Sequence, residues 1–225
     1  MIVIKRGKEP NSLLKFRKEN PDADYESDMP TEVLKDIREQ MWEEQRCLCA
    51  YCMKKIEAPS VVRIEHCRPR HPQDEQEHDK KGTLDFKWML GVCYGNSLVR
   101  GVKPEDKTCD AHRGNIELTV NPFDELSVKK IKYKADGSIY SDDADINKDV
   151  TETLNLNCQA LSLPQTRKNV LMAEKNRIMR KCKGKSQDAF MHELERTYAS
   201  LVQERNLTPY CGIIISWLES KLKIS

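Results

Sequence analysis

Cys49-Ala50-Tyr51-Cys52 opens the stretch of sequence that decides the fold, and the stretch continues to Asn115. Three further segments complete it: Ile64-Glu65-His66, Cys93-Tyr94-Gly95-Asn96 and Cys109-Asp110-Ala111-His112-Arg113. Two cysteines that are separated by two residues can bind one metal ion from a tight turn, and two distant cysteines can complete a tetrahedron around it. We therefore predict a structural zinc site with four ligands: Cys49, Cys52, Cys93 and Cys109.

The composition of the 225-residue chain indicates a globular protein without a strong overall electrostatic field. Charged residues make up 33% of it, yet the formal net charge is only +2, so contact with nucleic acid must rest on local basic patches. The apolar run Met1-Ile2-Val3-Ile4 is too short for a signal peptide, and Ile213-Ile214-Ile215 is too short to span a bilayer. The nine cysteines are an odd number, which favours metal binding over a disulfide framework. We predict a soluble, cytoplasmic protein that makes no contact with a membrane.

An amphipathic helix is predicted to deliver the chain to the first cysteine pair. Across residues 31–46, apolar residues recur at three- and four-residue spacing. Residues 61–64 are rich in β-branched side chains and predict a strand. Glu65 and His66 follow at once, so this acid–histidine pair should lie where the strand ends.

Polar and turn-forming residues separate the remaining predicted elements. Residues 71–82 predict a solvated loop, with His71 and His78 at the surface. Strands are predicted at residues 118–120, 128–133 and 138–140, the last two joined by an Asp136-Gly137 turn. Asp142, Asp143 and Asp145 predict a solvated acidic loop rather than a metal site.

Residues from 147 onward predict four helical segments, of which the second begins near Pro164 and the last follows Pro209. The second segment is strongly basic, and its charges suit a solvated face and a phosphate contact equally well. These charges are Arg167, Lys168, Lys175, Arg177, Arg180, Lys181, Lys183 and Lys185. We divide the chain into residues 1–145, which carry the cysteine motifs and the hairpin, and a helical part, residues 146–225.

The residues around the cysteines can support hydrolysis of a phosphodiester. That reaction needs a base that deprotonates water and a cation that holds the phosphate oxygens. His66 can be the base because its ordinary pKa lies near neutrality, and Glu65 and Asp110 can bind Mg²⁺ or Mn²⁺ through oxygen. His112 can add a nitrogen ligand or a hydrogen bond to phosphate, and Arg113 can neutralise charge.

A different set of zinc ligands is also compatible with the sequence. Cys49, Cys52, His66 and Cys67 could form a self-contained site with three cysteines and one histidine. That arrangement would leave no catalytic histidine, and it would leave the clusters at Cys93 and Cys109 without a purpose.

The order of these motifs resembles that of HNH endonucleases, in which a ββα-metal finger carries the active site, often with a structural zinc. The more specific resemblance is to the PtuB-type HNH proteins, the nuclease subunits of Septu anti-phage systems, whose relatives accompany some retrons. It rests on Cys49-Ala50-Tyr51-Cys52 within residues 44–52, Ile64-Glu65-His66-Cys67-Arg68-Pro69-Arg70, Leu90-Gly91-Val92-Cys93-Tyr94-Gly95-Asn96, Thr108-Cys109-Asp110 with Arg113-Gly114-Asn115, Asn121-Pro122 and Thr153-Leu154-Asn155-Leu156-Asn157.

This resemblance implies an α+β fold with a zinc-stabilised ββα-metal core, an N-terminal helix and a C-terminal helical extension. It places His66 at the general base and Glu65 at the first metal ligand, and it implies DNA as the substrate. It implies a nuclease domain in residues 1–145 and an SMC/ABC-type ATPase as the partner, which docks on residues 146–225. For the retron-associated relatives it also implies a reverse transcriptase with its RNA–DNA product. We expect four residues to contact nucleic acid: Arg68, Arg70, Arg113 and Asn115.

Two positions depart from the family pattern. Met89 stands where the resemblance expects an asparagine, and Asn96 or Asn115 could take that role. The spacing from Cys93 to Cys109 is also longer than in a simple cysteine pair. The hypotheses are therefore a metal-dependent endonuclease acting on DNA, or on RNA by the same chemistry, and alternatively a non-catalytic zinc module that binds nucleic acid or protein as an adaptor.

Overall fold

A computed structural model describes residues 1–70, 82–203 and 207–224 of the chain. Its architecture is α+β, as the sequence predicts, with eight α-helices and two small antiparallel sheets in these ranges. The predicted loop at residues 71–82, with His71 and His78, lies outside the described residues except for its last position.

Two helices precede the first cysteine pair: α1 (Asn11–Glu19) and α2 (Thr31–Glu44). The helix predicted over residues 31–46 is confirmed, with an end two residues earlier. The end of α2 is attached to the sheet by Gln45, whose buried amide accepts from Gly91 N at 2.7 Å and donates to the carbonyl oxygens of Gly91 and Leu48. This double contact fixes where the chain enters the cysteine turn.

The sheet next to the cysteines pairs β1 (Arg63–His66) with β2 (Met89–Val92). His66 lies opposite Met89 and Glu65 lies opposite Leu90 in the antiparallel register. The predicted strand started too early, because Pro59–Val61 forms a 3₁₀ turn that proline favours at its first position. Glu65 and His66 are consequently part of the strand itself, at its last two positions.

Short elements follow: α3 (Asp110–Arg113), α4 (Glu125–Lys129), β3 (Ile131–Tyr133) and β4 (Ile139–Ser141). The predicted hairpin between β3 and β4 is confirmed. Residues 118–120 form no strand, and the start of the strand predicted at residues 128–133 is instead the end of α4, because Asp124 caps that helix by accepting from Leu126 N at 3.0 Å.

The remaining helices are α5 (Ala144–Lys148), α6 (Leu163–Cys182), α7 (Gln187–Gln203) and α8 (Gly212–Leu222), with a π-helical turn at Asp149–Thr153 after α5. Asp143, in the predicted acidic loop, caps α5 and pairs with Lys130 at 2.8 Å. Within the described ranges, no helix combines the length and the apolar character that crossing a membrane requires.

The buried apolar residues form two clusters. The first surrounds the cysteines and includes Val150, Leu154 and Leu156, which lie beyond residue 145. The second joins α6, α7 and α8, and it takes in Leu48 and Met53 from either side of the cysteine turn. The helical region therefore packs directly on the segment that carries Cys49 and Cys52.

Candidate functional site

The four predicted zinc ligands lie together. The sulfur atoms of Cys49, Cys52, Cys93 and Cys109 are all within 4.8 Å of one another. The separation is 3.8 Å for Cys49 and Cys109, 3.7 Å for Cys52 and Cys93, and 3.8 Å for Cys93 and Cys109. A tetrahedron with Zn–S bonds of about 2.3 Å has edges of about 3.8 Å. The donor set and its spacing thus fit a zinc ion, and the ligand set with His66 and Cys67 is not the one brought together.

A tight backbone turn presents the first two sulfurs. Cys49 N donates to Lys54 O at 2.9 Å, and Met53 N donates to Cys49 O at 3.0 Å, with Met53 at a φ of 64°. Lys54 N points at the Cys52 sulfur from 3.4 Å. Backbone N–H groups directed at sulfur favour the thiolate form that a metal ion needs.

The second two sulfurs come from segments that are distant in sequence but paired in space. Cys93 follows β2, and Cys109 immediately precedes α3. Gly95 and Thr108 hold the segments together, since Thr108 N donates to Gly95 O at 3.0 Å. Cys109 N in turn donates to Leu154 O at 2.9 Å. The long spacing that departs from a simple cysteine pair is therefore closed by backbone contacts.

Four thiols at this separation cannot all ionise without a cation, because thiolates repel one another. Hydrogen bonding with Cys109, Cys49 and Cys52 lowers the pKa of Cys93. Hydrogen bonding with Cys49, Cys52 and Cys93 raises the pKa of Cys109 well above its ordinary value. A zinc ion would bind all four sulfurs as thiolates and remove this conflict.

A second site opens beside the cysteines, at the ends of β1 and α3. It is a pocket of about 330 Å³ that collects most of the predicted active-site residues. Four cationic side chains and two carboxylates line it together with a histidine and an asparagine: Arg63, Arg70, Lys107, Arg113, Glu65, Asp110, His66 and Asn115. The excess of cationic side chains suits an anionic ligand.

His66 is buried in this pocket in a defined tautomer. Its Nε2 lies 2.8 Å from the carbonyl oxygen of Thr83. A carbonyl can only accept, so Nε2 carries the proton and Nδ1 keeps its lone pair. The ring of Tyr25 meets the imidazole edge to face, with the centroids 4.6 Å apart. Burial lowers the pKa of His66 to about 4, so the imidazole is neutral at pH 7 and able to accept a proton.

Glu65 is held by two buried partners. Its Oε1 accepts from Tyr51 Oη at 3.2 Å and forms an ion pair with Arg113. Burial raises the pKa of Glu65, whereas the Arg113 guanidinium favours the ionised carboxylate that the ion pair contains. These contacts fix the position of the Glu65 carboxyl group in the pocket.

Arg113, which we expected to contact nucleic acid, is one of the most buried side chains, with 2% exposed. Its guanidinium also donates to the carbonyl oxygens of Ile116 at 2.7 Å, His66 at 2.8 Å and Cys67 at 2.7 Å. These contacts join α3 to the end of β1. The arginine touches the pocket, but its hydrogen-bonding groups are directed at the protein.

Asp110 is positioned by its place in the sequence, as the first residue of α3 and the neighbour of Cys109. One of its oxygens, Oδ2, lies 2.5 Å from Nε of Arg63. Arg63 and Glu65 are two residues apart on β1 and therefore point to the same face. Both carboxylates of the pocket are consequently paired with arginines.

The other predicted site residues lie at varying distances from the pocket. His112 donates from Nδ1 to Thr153 O at 3.0 Å and does not line it. Arg68 stacks on Trp88, 4.0 Å from the ring centroid, also outside the lining. Arg70 lines the pocket and pairs with Glu26, which lies between α1 and α2.

The two candidates for the family's asparagine, Asn96 and Asn115, lie in different places. Asn115 lines the pocket, whereas Asn96 donates to Asp106 O at 3.0 Å and closes the loop between the last two cysteines. Met89, at the position where the family resemblance expects asparagine, is buried opposite His66. The carbonyl of Thr83 is the group that orients His66 here.

Five residues of the site were missed by the sequence analysis: Tyr25, Tyr51, Arg63, Thr83 and Lys107. The two-residue period of a strand could have found Arg63, because it shares a face with Glu65. Tyr51 lies within the cysteine turn and was an available candidate. Tyr25 lies between α1 and α2, and Thr83 lies in a 3₁₀ turn. No local sequence pattern indicates that either residue approaches His66.

The basic helix α6 uses much of its charge internally. Arg167 is buried and donates to Gly137 O at 2.9 Å. Arg177 and Lys181 both pair with the buried Glu193 of α7, at 3.3 and 2.9 Å. Only part of the predicted basic face is thus available to a partner.

In comparisons with known proteins, no family model matches the chain, and no curated protein matches it significantly.

Proposed function

We propose that this protein is a metal-dependent endonuclease of the HNH type, with a structural zinc site and a separate hydrolytic site. The observation that supports the proposal is the pocket that brings His66, Glu65 and Asp110 together among cationic side chains. A neutral histidine beside two carboxylates and several cations is the combination that phosphodiester hydrolysis requires.

His66 is the proposed general base. Its Nε2 proton is held by Thr83 O, so Nδ1 is the atom that accepts a proton from the attacking water. Burial lowers the pKa to about 4, which keeps the imidazole unprotonated before substrate arrives. The negative charge of a bound phosphate raises that pKa and strengthens the base.

Glu65 and Asp110 are the proposed oxygen ligands of Mg²⁺ or Mn²⁺. Both line the pocket, and hard carboxylate oxygens are the ligands that these ions prefer. The ion, when bound, supplies Lewis-acid stabilisation of the phosphate and leaving oxygens. Arg70, Lys107 and Asn115 are available around the carboxylates to bind the phosphate backbone.

Residues next to the zinc ligands in the chain position the carboxylates of the hydrolytic site. Cys109 is adjacent to Asp110, and Tyr51, between Cys49 and Cys52, hydrogen-bonds to Glu65. Loss of zinc should therefore displace the carboxylates of Glu65 and Asp110, although neither is a zinc ligand.

The test is cleavage of supercoiled plasmid in the presence of Mg²⁺ or Mn²⁺ by the wild type and by His66→Ala. His192→Ala is the matched control, because His192 is exposed on α7, away from the pocket. Zinc content and thermal unfolding are measured on all three proteins, so that a loss of fold is recognised. The proposal requires that wild type and His192→Ala cut while His66→Ala carries zinc and does not.

A non-catalytic zinc module that binds nucleic acid or protein is the second candidate. It is favoured by the ion pairs that already occupy Glu65 and Asp110. Under that function His66→Ala leaves binding unchanged, whereas Cys49→Ser abolishes it. If neither DNA nor RNA is cut by the wild type, with or without its partner, this candidate replaces the first.

By the family resemblance, the partner is an SMC/ABC-type ATPase of an anti-phage system, with a retron reverse transcriptase and its RNA–DNA product as further members in some relatives. Docking through residues 146–225 cannot be tested by truncation, because Leu154 and Leu156 belong to the core around the cysteines. Met172 and Met179 are better probes, since they lie seven residues apart on α6 with 47% and 62% exposed. We expect Met172→Glu with Met179→Glu to weaken co-purification with the ATPase while the zinc content is unchanged.

A further inference from the structure

The two ion pairs in the pocket differ in strength. Arg113 is almost fully buried and, besides Glu65, donates to three backbone carbonyls. Arg63 has 43% of its side chain exposed, and among the described residues its ion pair is with Asp110 alone. Moving a buried charge away from several hydrogen-bond partners carries a large free-energy cost. A half-exposed charge can exchange one partner for another at a small cost.

The half-exposed pair, Arg63 and Asp110, lies in the pocket that we propose binds the substrate. Arg63 lines the pocket together with Arg70, Lys107 and Asn115. It approaches Asp110 through Nε, and a guanidinium carries four further N–H groups that match the oxygens of a phosphate. Asp110, for its part, is only 11% exposed, so its negative charge is stabilised by a neighbouring cation.

From this difference we infer that Arg63 is an exchangeable cation, which neutralises Asp110 in the free protein and moves to a backbone phosphate when nucleic acid binds. Asp110 is then released for the divalent ion, so that binding of the metal ion and binding of the substrate favour each other. The inference rests on the proposed function and adds to it an order of assembly. Arg63 is a positioning residue in this scheme, since it acts on the reaction through Asp110.

Two binding measurements test the inference without relying on cleavage. All proteins are full-length, zinc-loaded and in a His66→Ala background, so that the substrate stays intact. The first measurement is the Mn²⁺ affinity without nucleic acid, determined by electron paramagnetic resonance. Removing a positive charge a few ångströms from the ion should make Arg63→Gln bind Mn²⁺ about tenfold more tightly than its parent.

The second measurement is the affinity for a 30-base-pair DNA duplex, and for an RNA duplex of the same length, on the zinc-loaded proteins without added Mg²⁺ or Mn²⁺ at several salt concentrations. If Arg63 contacts phosphate, Arg63→Gln should lower the slope of log affinity against log salt by about 1. Arg63→Lys should restore most of that slope. Addition of the duplex should raise the Mn²⁺ affinity of the parent, and Mn²⁺ should raise its duplex affinity by the same factor.

Arg17→Gln is the matched control, because Arg17 is 31% exposed, lies on α1 in an ion pair with Glu9 and does not line the pocket. It should change neither affinity. An Arg63→Gln protein that matches the parent in Mn²⁺ affinity or in salt slope overturns the inference and leaves the proposed function standing. A parent that binds neither duplex overturns both.

Discussion

Replacement of Gly95 by alanine should separate the two halves of the zinc site. Gly95 has a φ of 53°, and a Cβ atom there would lie 2.0 Å from the carbonyl oxygen of Thr108. The left-handed backbone costs alanine about 1–2 kcal/mol. The contact requires the two segments to move apart by about 1 Å, at a cost of about 1–3 kcal/mol, and it endangers the hydrogen bond from Thr108 N, worth about 1 kcal/mol. We therefore expect Gly95→Ala to lower the free energy of unfolding by about 3–6 kcal/mol.

The same movement should weaken zinc binding. Cys93 and Cys109 flank the Gly95–Thr108 contact, and their sulfurs stand 3.8 Å apart. Because zinc tolerates departures of only about 0.2 Å in its ligand distances, a displacement of about 1 Å must be reversed by strain when the metal binds. Urea unfolding at saturating zinc measures the stability, and competition with a chromogenic chelator measures the affinity.

Gly101→Ala is the control for this experiment. Gly101 has a φ of 73°, but a Cβ atom there would meet nothing within 4 Å. It should cost only the backbone term of about 1–2 kcal/mol and leave zinc affinity unchanged. If Gly95→Ala is within 0.5 kcal/mol of Gly101→Ala and binds zinc as tightly as the wild type, the pairing of Gly95 with Thr108 does not hold the site together.

Three further predictions concern the buried groups and the metal. Arg113→Met leaves Glu65 without its cation and should lower the unfolding free energy in urea by about 3–5 kcal/mol. Arg113→Met combined with Glu65→Met should recover only part of the loss, because the carbonyl oxygens of Ile116, His66 and Cys67 still lack their donor; no recovery at all would contradict the pairing. Burial lowers the pKa of His66 to about 4 from an ordinary 6.5, so the unfolded chain binds the proton first and this residue's contribution to stability falls by up to about 3 kcal/mol as the pH drops from 6.5 to 4. His66→Asn should remove that part of the pH dependence in urea unfolding at pH 7 and pH 5, and an unchanged slope would count against it. A chelator should lower the melting temperature of the wild type, and added zinc should restore it with a logarithmic dependence on concentration that Cys109→Ser lacks.

The sequence predicted the four-cysteine cluster because each candidate zinc ligand is a local signal. Cys49 and Cys52 form a pair by spacing alone, and zinc needs only sulfur at the right distance from the rest. How Cys93 and Cys109 come together was not predictable, since the contact between Gly95 and Thr108 joins segments that share no periodic pattern. The cysteine spacing and the ligand preferences of zinc therefore indicated which cysteines belong together, whereas only the structure explains how they meet.

The candidate active site was predictable only in part. His66, Glu65 and Asp110 were selected by residue type and position, and the pocket includes all three. The burial of Arg113 was not foreseen, because a charged residue in a polar cluster is normally exposed and nothing local reveals the carbonyls that receive it. Strands were expected at residues 118–120 and 128–133. The second begins only at Ile131, because α4, which Asp124 caps, continues to Lys129.

The hydrogen bond from Cys109 N to Leu154 O has a consequence for biosynthesis. A chain made from its N-terminus has all four cysteines available before Leu154 has been added. The backbone that fixes Cys109, and with it the carboxylate of Asp110, cannot be completed until the segment around Leu154 has left the ribosome and packed. We expect a nascent or prematurely terminated chain to lack an ordered pocket around Asp110, so that any activity of this pocket would be delayed until the segment around Leu154 has been made and has packed.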